Sequence, residues 1–259
     1  MQSVWFSALL AASLLILSAC GGAPAEARNE PAAATAPPVD PATLGSISGK
    51  IAFTGPKPKP MPLSMDATPA CGRQHKGPVY AEDAVINSNG TLRNAFVYIK
   101  AGLPQGAAYP PPATPVKLDQ AGCIYTPRVL GVMVNQTLEI HNSDDVNHNV
   151  HPMPKINREW NESQPPKGAV KIKSFPAEEV PPILFKCNVH PWMQAYAITV
   201  DHAYFAITGE DGTFTIGNLP PGSYTLEAWH PKLGTRTLEI KIGTGSKATV
   251  PARIGYKVD

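Results

Sequence analysis

The sequence predicts an all-β protein. Its 29 prolines and 21 glycines are spread among short apolar runs, a pattern that interrupts helices and punctuates strands. Turn signals such as Asp211-Gly212 and Pro220-Pro221-Gly222 separate alternating runs, as hairpins require. No stretch has the period of an amphipathic helix. At 259 residues, 43% hydrophobic and 16% charged, the chain is long enough for one large or two small domains,. The formal charge of +2 arises from interspersed signs. That balance carries no nucleic-acid footprint and demands no acidic substrate.

In chain order, residues 1–19 hold an apolar run over 7–17, too short to span a bilayer and read as a secretory signal,. The ending Leu17-Ser18-Ala19-Cys20 resembles the lipobox of bacterial lipoproteins. That resemblance implies lipidation of Cys20 and an extracytoplasmic, membrane-anchored chain, because two or three acyl chains hold stably. Gly21 after the cysteine leans toward the outer membrane in a Gram-negative host. Residues 20–44 turn to Ala and Pro with scattered charges. This composition predicts a semi-extended tether.

Four cysteines are present: Cys20, Cys71, Cys123 and Cys187. With Cys20 assigned to lipid and Cys187 to a metal, Cys71 and Cys123 are the pair left for a disulfide in an oxidising compartment. The alternative is Cys71-x3-His75 as a second metal site. The spacing for covalent haem is absent,.

The chemistry lies in Cys187-Asn-Val-His190-Pro-Trp-Met193, flanked by two apolar strand-like runs. A tight loop at a sheet rim lets a thiolate, an imidazole and a thioether converge on one point. Soft sulfur with imidazole selects copper, and a His2Cys set with a weak axial Met is the blue-copper arrangement. A second histidine must come from upstream. His141, His148 and His151 all lie near the Asn/Ser/Asp turn after residue 141. His148 and His151 face opposite sides of an extended chain.

The stretch His148-Asn149-Val150 resembles the corresponding stretch of plastocyanins and amicyanins, and Cys-x2-His-Pro-x-Met resembles the amicyanin ligand loop. Val132-Met-Val-Asn-Gln-Thr-Leu-Glu-Ile is similar to the strands that precede the first histidine in that fold. The resemblance covers about residues 115–201 and implies a cupredoxin Greek-key β-sandwich holding one type 1 copper. It makes His148 the N-terminal ligand, Cys187 the thiolate, His190 the solvent-edge ligand and Met193 the axial one. Asn149 would tie the two ligand loops together. The function implied is electron transfer, without catalysis, to a redox protein such as a c-type cytochrome or an oxidoreductase. Lys155, Arg158, Lys167, Lys171 and Lys173 are expected in a solvated basic loop, with steering of an acidic partner as the sharper reading,. Two other classes stay open: a cell-surface binding or adhesion module with a structural or incidental metal, and periplasmic copper binding.

After residue 201, Gly-x-Phe-x-Ile-x-x-Leu-Pro-Pro-Gly-x-Tyr resembles the carboxypeptidase regulatory-like module, a transthyretin-like or Ig-like β-sandwich. The opening strand of such a module is supplied far upstream by Gly45-Ser-Ile-Ser-Gly-Lys-Ile, and a next strand by Asn94-Ala-Phe-Val-Tyr-Ile. The expected organisation is therefore a split sandwich, 45–114 plus 202–259, with the cupredoxin domain of 115–201 inserted in or next to it. Trp229-His230 is expected as a strand-end aromatic with a surface histidine.

Overall fold

The computed structural model describes residues 40–243 and 249–257. The signal segment, Cys20 and the tether up to residue 39 lie outside them. Asp40 caps a single 3-10 turn, Pro41–Thr43, by accepting from the Ala42 amide at 2.9 Å. Among the described residues no helix is long and apolar enough to cross a membrane.

The chain is nearly all β. In order come β1 (Gly45–Thr54), β2 (Phe96–Ala101), β3 (Val116–Gln120), β4 (Tyr125–Thr126), β5 (Val129–Met133), β6 (Leu138–Asn142), β7 (His148–Met153) and β8 (Glu162–Gln164). There follow β9 (Lys171–Lys173), β10 (Glu179–Lys186), β11 (Gln194–Val200), β12 (Phe205–Ile207), β13 (Thr213–Leu219), β14 (Gly222–His230), β15 (Gly234–Ile242) and β16 (Thr249–Lys257). The long segment between β1 and β2 holds one helical turn, Pro69–Gly72.

Four sheets make two sandwiches. In the first, the sheet β13-β1-β16 faces the sheet β12-β2-β14-β15. Alternation decides which side chains point inward: Ile47 and Ile51 of β1, Phe214 and Ile216 of β13, and Leu226 and Ala228 of β14 enter one core,. In the second, β5-β11-β10-β7-β8 faces β4-β3-β6-β9. Its core takes Leu118, Val132, Leu138, Ile140, Val150 and Phe185. Leu138, Ile140 and Asn142 point in from β6 while Glu139 and His141 point outward. The first sandwich is thus built from strands on both sides, in sequence, of those that build the second.

The two sandwiches share a third apolar cluster: Phe96 and Tyr98 from β2 meet Val129 of β5 and Ile198 and Val200 of β11. Gly131 permits this approach, since a Cβ there would lie 2.4 Å from the Phe205 ring and 2.7 Å from the Phe96 ring. Under close packing that overlap forces backbone movement. The segment after β1 behaves differently from the rest of its stretch. Met65 and Cys71 are buried in the second sandwich's core, with Leu63 and Val79 packed against it. Backbone bonds from Leu63 to Val79 and from Ala81 to Met61 hold its two arms together. Part of 45–114 therefore lies over the second sandwich.

His230 is not the surface histidine expected at the strand end: it is fully buried. β14 runs its last residue against β15 and under the Tyr256 ring, which removes it from water. Burial, with the charge of Arg128 adding to it, pushes its pKa down to about 4. Its Nδ1 accepts the Lys232 amide at 3.2 Å, so the neutral ring is the one that fits.

A histidine whose folded-state pKa lies below its unfolded value binds fewer protons in the folded chain, so its contribution falls as pH drops through the unfolded value. The window runs from about 6.5, the ordinary value, down to about 4. At about pH 5 the loss is about 2 kcal/mol, from about 1.5 units at about 1.36 kcal/mol each. Urea denaturation at about pH 7.5 and about pH 5 is expected to show wild type losing that much more stability than His230→Asn, which keeps an acceptor for the Lys232 amide.

Candidate metal centre

The centre forms where β7, β10 and β11 end together. β10 pairs antiparallel with both neighbours, with Lys186 opposite Gln194 on one side and opposite His151 on the other. Carried on, that register sets His148 level with the loop that follows Cys187. The loop closes on itself: the Cys187 amide donates to Met193 O at 3.2 Å, and the Met193 amide to His190 O at 2.9 Å. Strand ends thus fix both rims of a seven-residue loop, in which Cys187, His190 and Met193 turn inward while Asn188, Val189 and Pro191 face out.

Of the three upstream histidines, His148 alone joins the loop residues. His148 Nδ1 lies 2.9 Å from His190 Nδ1, and His190 Nδ1 lies 3.7 Å from Cys187 Sγ. The three donors lie within 4.8 Å of one another and their residues are buried. His141 projects from β6 to Glu139 at 3.2 Å, and His151 is held between Glu159 at 2.6 Å and Asn188 at 3.2 Å. The opposite faces of an extended strand separate His148 from His151, as its alternation requires. Met193 is 1% exposed and packs in the same core as Cys187.

Asn149 bridges the two ligand-bearing segments. Its Oδ1 accepts the Asn188 amide at 2.6 Å and lies 3.4 Å from Cys187 Sγ, and its Nδ2 donates to Asn161 at 2.6 Å. Tyr125, which sequence reasoning missed, adds a second tie by donating its hydroxyl to Asn149 O at 2.7 Å.

The electrostatics favour a ligand-ready thiol. Burial opposes ionisation of Cys187, but His148 and the amides of Asn149, His190 and Val189 outweigh it and lower its pKa. Burial likewise opposes charge on His148, yet Asp144 and Cys187 raise its pKa. His190 is lowered, by burial first and by His148 second. Two ring nitrogens this close cannot both carry a proton, so at least one of these Nδ1 atoms is an unprotonated acceptor. Two imidazole nitrogens and a sulfur, dry and converging, fit a soft or borderline transition metal.

The solvent-edge position expected of His190 is not found, for the residue is 1% exposed. Its Nε2 lies 3.6 Å from Cys71 Sγ, and the Trp192 ring sits 5.2 Å away, centroid to centroid. The covering group is a disulfide: Cys71 and Cys123 are bonded, with Cα atoms 5.5 Å apart. His75 holds no metal with Cys71; it contacts Gly122 O at 2.8 Å. Trp192 Nε1 donates to Cys123 O at 2.9 Å and completes the cover. The disulfide itself was expected from the cysteine count, but nothing in the sequence placed it over the loop, because Cys71 lies 119 residues from His190 and Cys123 lies 69 from Trp192, and they meet only in the folded chain.

Asp144 is the functional residue that sequence reasoning read only as part of a turn. Its carboxylate, 3% exposed, receives His148 Nε2 at 2.8 Å. An acid with a histidine four residues on, just before a strand, was the only trace of it in the sequence; its burial belongs to the fold. The basic loop is largely neutralised: Lys171 and Lys173 both pair with Glu162, and Lys167 with Asp145 at 2.8 Å.

A family model, the β-sandwich domain of ER membrane protein complex subunit 7, matches residues 188–258, less than a third of the chain. The match over the terminal sandwich is to this β-sandwich and not to the carboxypeptidase regulatory-like module that its motif resembles. No curated protein sequence matches. Among solved structures, the copper-containing nitrite reductase of Thermus scotoductus SA-01 is 20% identical, over 33% of this chain and 22% of that one, with TM-score 0.29. This chain therefore spans under a quarter of that enzyme's length. A point variant of amicyanin in its Cu(I) form is 22% identical over 32% of this chain and 80% of its own, with TM-score 0.29. A purple cupredoxin of Nitrosopumilus maritimus is 19% identical over 32% and 98%, with TM-score 0.28. These likenesses are partial and bear on neither activity nor partners.

The disulfide spans 52 residues, a loop whose closure contributes about 4 kcal/mol on the chain-entropy model. Replacing Cys71 and Cys123 together by serine is expected to lower stability by about that amount in urea denaturation. In the metal-free protein it is also expected to speed reaction of the Cys187 thiol with a disulfide reagent, because the cover over the His190 edge loosens.

Proposed function

We propose that this chain is an extracytoplasmic electron-transfer protein that holds one type 1 copper through His148, Cys187 and His190, with Met193 as the weak axial ligand. The observation that carries this reading is the convergence of two imidazole nitrogens and one thiol sulfur in a buried rim. Bound there, copper would supply a one-electron couple. The chain's own residues keep the donors in place in both oxidation states: the self-bonded 187–193 loop, Asn149 across the two segments and Tyr125 behind them. Little then has to reorganise when charge changes. The lowered Cys187 pKa suits a ligand that binds as thiolate,. No reaction chemistry is assigned to these residues.

On this reading Cys20 carries lipid and the chain acts at a membrane surface, exchanging electrons with a redox protein such as a c-type cytochrome or an oxidoreductase. The terminal sandwich is a supporting β-sandwich. A second reading is favoured by the burial of His190, which leaves no ligand edge for a partner to touch. There the chain is a surface-binding β-sandwich protein whose metal is structural, or a periplasmic copper-binding protein.

Adding Cu(II) to the metal-free protein is expected to give one bound equivalent, an intense thiolate-to-copper band in the visible, and reversible bleaching by a one-electron reductant. Cys187→Ala is expected to abolish the band. His148→Ala is expected to weaken copper binding by at least about 100-fold, beyond what the loss of an outer hydrogen-bond partner costs. A colourless complex that cycles no electrons would favour the structural-metal reading.

A further inference from the structure

Asp144 is held more completely than a turn residue needs to be. Oδ1 accepts the Gly122 amide at 2.6 Å, and Oδ2 accepts the Cys123 amide at 2.7 Å together with the His148 Nε2 contact at 2.8 Å. Its own amide donates to Asn142 Oδ1 at 3.0 Å, and its carbonyl accepts the Lys167 amide at 3.2 Å. Among the described residues no lysine or arginine pairs with it; Lys167 goes to Asp145 instead. The two amides and the imidazole give this buried carboxylate a hydrogen-bond partner at each oxygen, which is the arrangement that compensates a charge out of water,. The carboxylate engages the outer nitrogen of His148, leaving Nδ1 turned toward His190 and Cys187.

We propose that Asp144 is a positioning residue for the metal centre, orienting His148 through an Nε2–H···carboxylate bond and lowering the reduction potential of bound copper. The inference rests on the copper reading above. The physical reason is twofold. A carboxylate behind a metal-binding imidazole fixes its tautomer and raises its basicity. A fixed negative charge in a dry site also favours the more positive oxidation state. Reduction adds one electron from an external donor to the centre, and no bond within the protein forms or breaks. The same carboxylate binds the amide of Cys123, whose disulfide covers His190, so one group links the outer sides of both imidazoles.

The test compares the copper-loaded full chain with Asp144→Asn and with Glu139→Gln, the latter removing a carboxylate from His141, outside the centre. In a potentiometric titration Asp144→Asn is expected to raise the potential by about 59 mV, which is about a tenfold change in the Cu(II):Cu(I) affinity ratio. Glu139→Gln is expected to leave it unchanged. An unchanged potential in a folded, copper-loaded Asp144→Asn protein overturns the inference and leaves the copper reading standing. A wild-type chain that takes up no copper overturns the copper reading and the claim about potential with it. Nitrogen NMR of wild-type protein, metal-free and with Cu(I), decides the orientation even where the variant fails to fold. His148 is expected to carry its proton on Nε2, protected from solvent exchange, and a rapidly exchanging or absent Nε2 proton overturns the proposal.

Discussion

A carboxylate withdrawn from water must find a donor for each of its oxygens, and at the rim of the second sandwich that demand is met from two separate stretches of chain. Asp144 takes the amides of Gly122 and Cys123 and the outer nitrogen of His148. An unpaired buried charge would cost several kcal/mol, so the hairpin between β3 and β4 and the start of β7 are constrained to one arrangement. That arrangement puts Cys123 where it can bond Cys71 and carries the segment after β1 across the His190 edge.

The centre has two kinds of support. Inside, the strand register and the closed 187–193 loop deliver the donors, and Asn149 and Tyr125 tie the delivering segments together. Outside, the disulfide, Trp192 and Asp144 close over the imidazoles. A site dry on both sides strengthens every electrostatic contact within it. The first sandwich contributes at a distance, bracing β5 and β11 through the Phe96 cluster that Gly131 admits.

Much of this was legible along the chain where the determining contacts are short in sequence. The spacing Cys187, His190, Met193 is a local pattern, since strand ends and a turn of fixed length set it. The choice among His141, His148 and His151 was not local. Periodicity could place them on faces, but only pairing with β10 decided which face meets the thiol. His190 and His230 were expected near solvent and are buried, in each case under chain that lies far away in sequence or across the sheet.

By itself, then, the sequence determined the all-β character, the strand pattern with its turns and the kinds of donor side chain that the ligand loop offers. Alternation, turn residues and a short ligand loop are enforced by neighbours along the backbone. Tertiary structure alone decided that a segment from before β2 covers the second sandwich, that Asp144 stands behind His148, and that the histidine edge is closed. Those features depend on burial and on contacts such as those of Asp144 with the amides of Gly122 and Cys123, and of Cys71 with Cys123 and His190, between residues tens of positions apart, whose energies exist only once the second sandwich and its cover have closed.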